Sequence, residues 1–173
     1  MGVSLGADFL PRLGSALLLG PLMLLAAWWG GWPFAVVLLV ASLLVLWEWA
    51  VRTALQPRMI VLGLGGVSLA TACVASMLAP LLTIFLVLAL GIVALALAGE
   101  PRGWAAAGLA YAAAVLVPTL LLRRDPSAGA ASILWLFAVV WTTDIAAYFC
   151  GLPLGAAQHW PRARPRDDMV TTS

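Results

Sequence analysis

A single carboxylate, Asp144, lies in the middle of an otherwise apolar or weakly polar run from Ile133 to Gly151. The run is long enough to cross a bilayer as a helix. An aspartate at the centre of a membrane-spanning helix costs about 3 kcal/mol on insertion scales. Such a group is kept mainly where it faces a partner, an ion or water. Asp144 is therefore predicted to mark a functional site at membrane depth.

The composition places the chain in a membrane. Hydrophobic residues make up 64% of the 173 positions, charged residues make up 9%, and the mean hydropathy is +1.08. Since soluble domains carry about 25% charged residues, this chain cannot build a water-soluble surface. Its basic residues are all arginine and too scattered to form a groove for nucleic acid, which is not expected as a partner. Cys73 and Cys150 lie in apolar runs and are expected to be packing residues.

Apolar runs near the 20-residue spanning length recur between short breaks that contain glycine, proline or charge. Their unbroken length favours helices over barrel strands. The sequence therefore predicts an all-α integral membrane protein with about six transmembrane helices, of which the first pair is the most prone to be merged or re-entrant. The predicted spans are residues 13–29, 33–51, 59–78, 81–98, 104–122 and 130–151. Gly66 and Ala70, in the third span, suggest a close contact with another helix.

The composition changes at residue 152. Residues 1–151 form one predicted membrane domain, whereas residues 152–173 are polar, with alternating arginine and proline. Such a segment predicts a disordered tail. His159 lies in this tail, and one histidine does not make a metal site.

The distribution of arginine predicts the orientation. If the amino end is cytoplasmic, the inside segments hold seven arginines, and the outside loops hold only Arg123 and Arg124, which Asp125 partly offsets. This asymmetry follows the positive-inside rule, so both termini are predicted to be cytoplasmic. Asp144 then lies in the cytoplasmic half of the sixth span, and Glu48 lies at the cytoplasmic end of the second.

Several side chains share a helix face with Asp144. Trp141 at i−3 and Tyr148 at i+4 lie on this face, together with the small residues Ala147 and Gly151. Small residues permit a close helix approach or a cavity. The functional interpretation competes with a structural one, in which Asp144 is a buried hydrogen-bond partner for Tyr148 or for a threonine hydroxyl.

These residues resemble a known family. The segment from Trp141 to Gly151 is similar to the W-x-x-D-x-x-A-Y-x-x-G stretch of the phosphatidate cytidylyltransferases, the CDP-diacylglycerol synthases. Earlier pieces are similar in the same order. They are the R-x-x-S-A of Arg12–Ala16, Pro21, the W-E-W of Trp47–Trp49, the G-x-x-Y of Gly108–Tyr111, and Pro118. The resemblance covers the chain from Arg12 to Gly151.

The resemblance implies transfer of a cytidylyl group from CTP to phosphatidate, which gives CDP-diacylglycerol and pyrophosphate in phospholipid biosynthesis. It implies Mg²⁺ as the cofactor, the bacterial inner membrane as the location, and a homodimer as one possible assembly. On this interpretation Asp144 is catalytic and a possible metal ligand. Tyr148, Trp141 and Glu48 are then expected to bind the substrates, the membrane lipid and CTP.

The chain departs from the family after Gly151. The family continues with a lysine-containing S-P-x-K-T-W-x-G segment, but this sequence contains no lysine, and Ala146 stands where the family usually has glycine. A truncated chain, arising by frameshift and weakly active or inactive, is therefore expected. Two alternatives stay open. One is a CTP-dependent polyprenol or phytol kinase-like protein, and the other is a non-catalytic membrane bundle.

Overall fold

A computed structural model describes residues 20–155 of the chain, with side chains described as far as residue 147. The predicted first span begins outside the described residues, as does the R-x-x-S-A piece of Arg12–Ala16. Of the predicted tail, residues 152–155 are helical, and the remainder, with His159, lies outside the described residues. The chain divides into two compact units, Met1–Trp135 and Leu136–Ser173, and each is described by itself.

The described residues are almost entirely α-helical. The helices are α1 (Gly20–Trp29), α2 (Gly31–Arg52), α3 (Arg58–Leu78), α4 (Leu81–Ala98), α5 (Arg102–Arg123) and α6 (Gly129–Gly155). Helices α2 to α6 are each long and apolar enough to cross a membrane, and α1 is a shorter apolar helix. The predicted all-α class is confirmed, and the second to sixth predicted spans coincide with α2 to α6 to within about one helical turn. The protein is an integral membrane protein.

Glycine separates α1 from α2. Gly30 has φ 69° and Gly31 has φ 55°. Glycine adopts this left-handed region readily, because it has no Cβ to collide with the following carbonyl. The predicted break at this pair is confirmed.

Proline stands immediately before each of the next three helices. Pro57, Pro80 and Pro101 have extended backbones at the starts of α3, α4 and α5. Proline fits there because the first N–H groups of a helix have no acceptor within the helix, so its missing N–H loses nothing.

In the first unit, α2 to α5 form a four-helix bundle. Helices α3 and α5 contact each other, and α2 and α4 each pack against both of them. The largest fully buried side chains are mainly aliphatic and include Phe34, Leu46, Leu69, Leu95, Leu109 and Leu116. Cys73 is buried among these helices, with its Sγ 3.7 Å from the carbonyl oxygen of Ala35. Its predicted packing role is confirmed, whereas the side chain of Cys150 lies outside the described residues.

The close helix approach in α3 occurs at Gly65. A Cβ at Gly65 would lie 2.6 Å from Cδ2 of Leu46 on α2, whereas a Cβ at Gly66 would lie at ordinary contact distance, 3.5 Å, from Leu43. The predicted contact at Gly66 and Ala70 is thus present at Gly66 at ordinary distance, but the closest approach lies one residue earlier, at Gly65. One residue turns the helix face by about 100°, which places Gly66 beside the closest line of contact.

The loops before α3 and α5 meet at one end of the bundle. The main-chain N–H of Gln56 donates to the carbonyl oxygen of Glu100 at 3.0 Å, and the N–H of Glu100 donates to that of Gln56 at 2.7 Å. The ends of α2, α3 and α5 that carry Arg52, Arg58 and Arg102 therefore lie on one side. The structure therefore groups these three arginines at one end of the bundle, as the orientation argument requires.

Candidate functional site

A groove of about 520 Å³ lies at the carboxyl-terminal end of α2, where this helix packs against α5. It is lined by Leu44, Val45, Trp47, Glu48, Trp49, Arg52 and Tyr111. The W-E-W piece supplies its centre, and the tyrosine of the G-x-x-Y piece reaches it from α5. Two widely separated motifs of the sequence therefore form one surface, which we call the α2–α5 groove.

The charged groups of the groove form an ion pair. Arg52 Nε donates to Glu48 Oε1 at 2.6 Å, and the two side chains are 77% and 49% exposed. Exposed pairs of this kind contribute about 0.2–1 kcal/mol to stability. The pair therefore orients two accessible side chains more than it stabilises the fold.

The aromatic wall of the groove is held in place by contacts between α2 and α5. Trp49 Nε1 donates to the carbonyl oxygen of Trp104 at 2.9 Å. The Trp49 ring centroid lies 5.6 Å from that of Trp104 and 5.5 Å from that of Tyr111, within the range of favourable aromatic pairs. Gly108 makes room for the indole, because a Cβ there would lie 2.6 Å from Trp49 Cδ1.

Sequence analysis missed the part that Trp104 takes in this wall. Trp104, Gly108 and Tyr111 follow one another at i, i+4 and i+7, a spacing that places them on one helix face. This signal was present in the sequence. It does not show which other helix covers the face, so Trp49 could not be assigned to it.

The opposite end of α5 carries two arginines that bind helix ends. Arg123 donates from Nε to the carbonyl oxygen of Ala27 at 2.7 Å and from Nη2 to that of Trp28 at 3.0 Å. Arg124 Nη1 donates to the carbonyl oxygen of Ser76, in the last turn of α3. The last carbonyls of a helix lack partners within it, and cations there are favourable. These two arginines, which the sequence analysis treats as charges of an outside loop, therefore cap the ends of α1 and α3.

Asp125 caps the start of α6. Its Oδ1 accepts hydrogen bonds from the Ser127 N–H at 2.8 Å, from the Ser127 hydroxyl at 2.6 Å and from the Ala128 N–H at 2.9 Å. The Ser127 hydroxyl and then the two backbone donors lower the pKa of Asp125 below its ordinary value of 3.8, because they stabilise the ionised form.

Asp144 lies on α6, in the second unit, and its side chain is exposed. The neighbouring hydroxyls of Thr142 and Thr143 donate to main-chain carbonyl oxygens of the preceding turn, at 2.6 and 2.7 Å. Their protons are thus directed away from the carboxylate. The structural alternative in which a threonine hydroxyl binds Asp144 finds no support in this geometry.

The residues predicted to accompany Asp144 lie on the same continuous helix. Trp141 is exposed and stacks on Phe137, with ring centroids 6.2 Å apart and an interplanar angle of 10°. The side chain of Tyr148 lies outside the described residues. The helical spacing that places Trp141 and Tyr148 on the face of Asp144 holds along the main chain. Glu48 belongs to the first unit, beside Arg52.

Within residues 20–147, no three histidine, cysteine, aspartate or glutamate side chains are grouped closely enough to hold a metal ion. Glu48 is paired with Arg52, and Asp125 caps α6. The remaining described carboxylates are Glu100, in the loop before α5, and Asp144, on α6. Mg²⁺ is commonly held by one or two carboxylates together with substrate phosphates, so a single carboxylate fits its donor chemistry in part.

The chain matches the model of the cytidylyltransferase family over residues 11–167. It is similar to the phosphatidate cytidylyltransferases of Brucella suis biovar 1 and Brucella melitensis biotype 1, each 37% identical over 157 residues, and to that of Brucella abortus biovar 1, 36% identical over 157 residues. Each match covers 89% of this chain and 58% of the relative, so the chain spans little more than half the length of these curated relatives. No solved structure matches the chain. The chain belongs to the cytidylyltransferase family.

Proposed function

We propose that the protein acts in the transfer of a cytidylyl group from CTP to phosphatidate, giving CDP-diacylglycerol and pyrophosphate. The relatives bear the name phosphatidate cytidylyltransferase, which favours this activity over a polyprenol or phytol kinase. The observation that carries the proposal is the position of Asp144. In a chain of this family, it places a carboxylate within a helix long enough to span a membrane.

The reaction requires that the two substrates be positioned and that the charge on their phosphates be neutralised. An oxygen of the phosphatidate phosphate forms a bond to the α-phosphorus of CTP, while the bond from that phosphorus to the β-phosphate oxygen breaks and pyrophosphate leaves. Such transfers need little covalent chemistry from the protein. Mg²⁺, when bound, would neutralise charge on the phosphates, and Asp144 is the residue proposed to hold it. Trp141 and Tyr148, on the same face, are proposed to bind substrate.

Glu48 is proposed to bind substrate at the α2–α5 groove. Its carboxylate is exposed beside Arg52, and aromatic rings wall the groove. Tryptophan and tyrosine gather at the depth of lipid headgroups. This environment suits the lipid substrate better than the nucleotide base.

The location and orientation belong to the same proposal. The bacterial inner membrane, with both termini in the cytoplasm, is supported by the arginines grouped at the end of the bundle where Gln56 meets Glu100. This orientation brings Glu48 to the compartment that contains CTP. A homodimer is one possible assembly.

The test uses two proteins in isolated bacterial membranes. The first is this chain, and the second is a chimera in which its residues 11–151 replace the matching part of the Brucella suis relative. CDP-diacylglycerol formed from phosphatidate and labelled CTP is measured with saturating Mg²⁺. We expect the chimera to form product, and Asp144→Asn to lower its rate by about 100-fold or more, the typical effect of removing one electrostatic contact from a transition state.

Asp125→Asn is the matched control, because it changes a carboxylate that caps a helix in another part of the chain. We expect it to leave the rate within about twofold of the parent, as for a surface change away from the site. An inserted chimera without product, with this chain also inactive, would favour the non-catalytic bundle. A fully active Asp144→Asn chimera would reduce Asp144 to a structural residue.

A further inference from the structure

The α2–α5 groove continues an apolar stripe that runs along the exposed face of α2. Val36, Val40, Leu44 and Trp47 are all exposed, and they follow one another at intervals of three or four residues. In a membrane-spanning helix, such a stripe faces the acyl chains. The stripe ends at the Glu48–Arg52 pair, so the groove presents apolar walls on one side and charge on the other.

We propose that the α2–α5 groove docks the headgroup of phosphatidate and selects it as a phosphomonoester. Arg52 donates hydrogen bonds to the ionised phosphate oxygens, and Glu48 accepts a hydrogen bond from the remaining P–OH group. Leu44 and Val45 lie beside the first part of an acyl chain. The identity of the lipid rests on the proposed function, whereas the chemistry of the site rests on the two charged side chains.

Arg52 has the donors that a phosphate needs. Its hydrogen bond to Glu48 uses Nε, whereas a guanidinium has five N–H donors in a planar fork. Such a fork binds two oxygens of one phosphate at once, with charge-assisted hydrogen bonds. The titratable groups that line the groove are Arg52 and Glu48 on α2 and Tyr111 on α5.

Glu48 makes the site selective rather than merely attractive to anions. A carboxylate beside a fully ionised phosphate is repulsive. A phosphate monoester has a second pKa of about 6, so near neutral pH part of it keeps one P–OH group. That group can donate a short charge-assisted hydrogen bond to Glu48. A phosphodiester lipid has no hydroxyl on phosphorus and leaves the carboxylate facing an acceptor.

The walls of the groove are preorganised for this role. The hydrogen bond to Trp104 and the space at Gly108 fix the Trp49 indole. Tyr111 packs against the same ring from α5. A ligand that enters beside Arg52 thus meets a surface that does not have to be ordered first, which lowers the cost of binding.

The experiment measures lipid binding, without CTP, to the full chain in detergent by native mass spectrometry. The probes are dioleoyl phosphatidate, dioleoyl phosphatidylmethanol and dioleoyl phosphatidylglycerol. Phosphatidylmethanol differs from phosphatidate by one methyl group on the phosphate, which removes the P–OH. We expect phosphatidate to bind about tenfold more tightly than either diester, since one charge-assisted hydrogen bond distinguishes them.

Three variants distinguish the contributions of Arg52 and Glu48 to lipid binding. Arg52→Gln should weaken phosphatidate binding about tenfold, and Arg52→Lys should give an intermediate loss because the charge stays and the fork is lost. Glu48→Gln should bring phosphatidate and phosphatidylmethanol to within about twofold of each other. Arg58→Gln is the control, because Arg58 lies at the same end of the bundle but does not line the groove.

Equal binding of phosphatidate and phosphatidylmethanol to the parent chain would overturn the proposal, as would undiminished phosphatidate binding by Arg52→Gln. Far-UV circular dichroism and size-exclusion chromatography check the fold of each variant. If Arg52→Gln fails to fold, the Glu48→Gln variant tests the proposal instead. A preference for phosphatidate over phosphatidylmethanol that this variant retains in full would then overturn it. This assay measures binding and not turnover. If the protein prefers phosphatidate here but forms no CDP-diacylglycerol in the membrane assay, only the proposed function is contradicted.

Discussion

Arg123 Nε donates a 2.7 Å hydrogen bond to the carbonyl oxygen of Ala27, which joins the end of α5 to the last turn of α1. The same guanidinium reaches the next carbonyl oxygen, that of Trp28. Carbonyl groups at a helix end have no partner within the helix, and leaving them unsatisfied in an apolar environment is costly. This arginine thus determines how the short helix α1 is held against the bundle.

Gly30 is predicted to be essential for this contact. A Cβ at Gly30 would collide with the Arg123 guanidinium, whereas a Cβ at Gly31 would meet nothing within 4 Å. Both residues have positive φ, which strains alanine at either position, and Gly30, with ψ −156°, lies in a region that is essentially restricted to glycine. We expect Gly30→Ala to lower the thermal unfolding midpoint in detergent clearly more than Gly31→Ala, because it also displaces the arginine. Equal losses from the two variants would contradict a role for the contact.

Gly108 is predicted to set the position of the aromatic wall. A Cβ there would displace the Trp49 indole and break its hydrogen bond to Trp104. Gly108→Ala should therefore destabilise the protein by about 1–3 kcal/mol, the usual effect of overpacking. Gly103→Ala is the matched control on α5, because nothing lies within 4 Å of the new methyl group. It should be neutral or stabilising by up to about 1 kcal/mol. Chemical unfolding of the two variants measures the difference, and a neutral Gly108→Ala would show that the indole is free to move.

The protein is predicted to lose folding stability in acid as Asp125 becomes protonated. Its pKa in the folded protein is below the ordinary 3.8, because the Ser127 hydroxyl and two backbone N–H groups bind the ionised form. The resulting stability is fully present above the unfolded pKa and is lost as the pH falls through the folded one. Below about pH 4, the thermal unfolding midpoint of the parent should therefore fall more steeply with decreasing pH than that of Asp125→Asn. Parallel profiles of the two proteins from pH 6 to pH 2.5 (about the accessible range) would refute the capping role.

The helical class and most helix boundaries follow from local chemistry, which explains why they could be predicted. A run of about 20 apolar residues forms a spanning helix wherever it occurs. The Gly30–Gly31 pair and Pro57, Pro80 and Pro101 interrupt such runs through the conformations of their own backbones. No knowledge of neighbouring helices is needed for these predictions.

The contacts between helices could not be predicted in the same way. Whether Gly65 or Gly66 faces Leu46 depends on the rotation of α3 about its axis, which many partners determine together. The binding of Arg123 to Ala27 joins residues that lie far apart along the chain. Asp144 could be singled out because its cost in a membrane is a local property. Its role in substrate binding and catalysis stays a prediction.

The last prediction concerns the orientation of the bundle. The main-chain hydrogen bonds between Gln56 and Glu100 hold the loops before α3 and α5 on one side, and Pro126 follows α5 at its other end. Because positive charge is retained inside, single cysteines at Gln56 and Glu100 should react only with a membrane-permeant maleimide in intact cells. A cysteine at Pro126 should also react with an impermeant maleimide. Labelling in opened cells is the control for accessibility. Reaction of the Gln56 cysteine with the impermeant reagent in intact cells would invert the topology and remove Glu48 from the compartment that contains CTP.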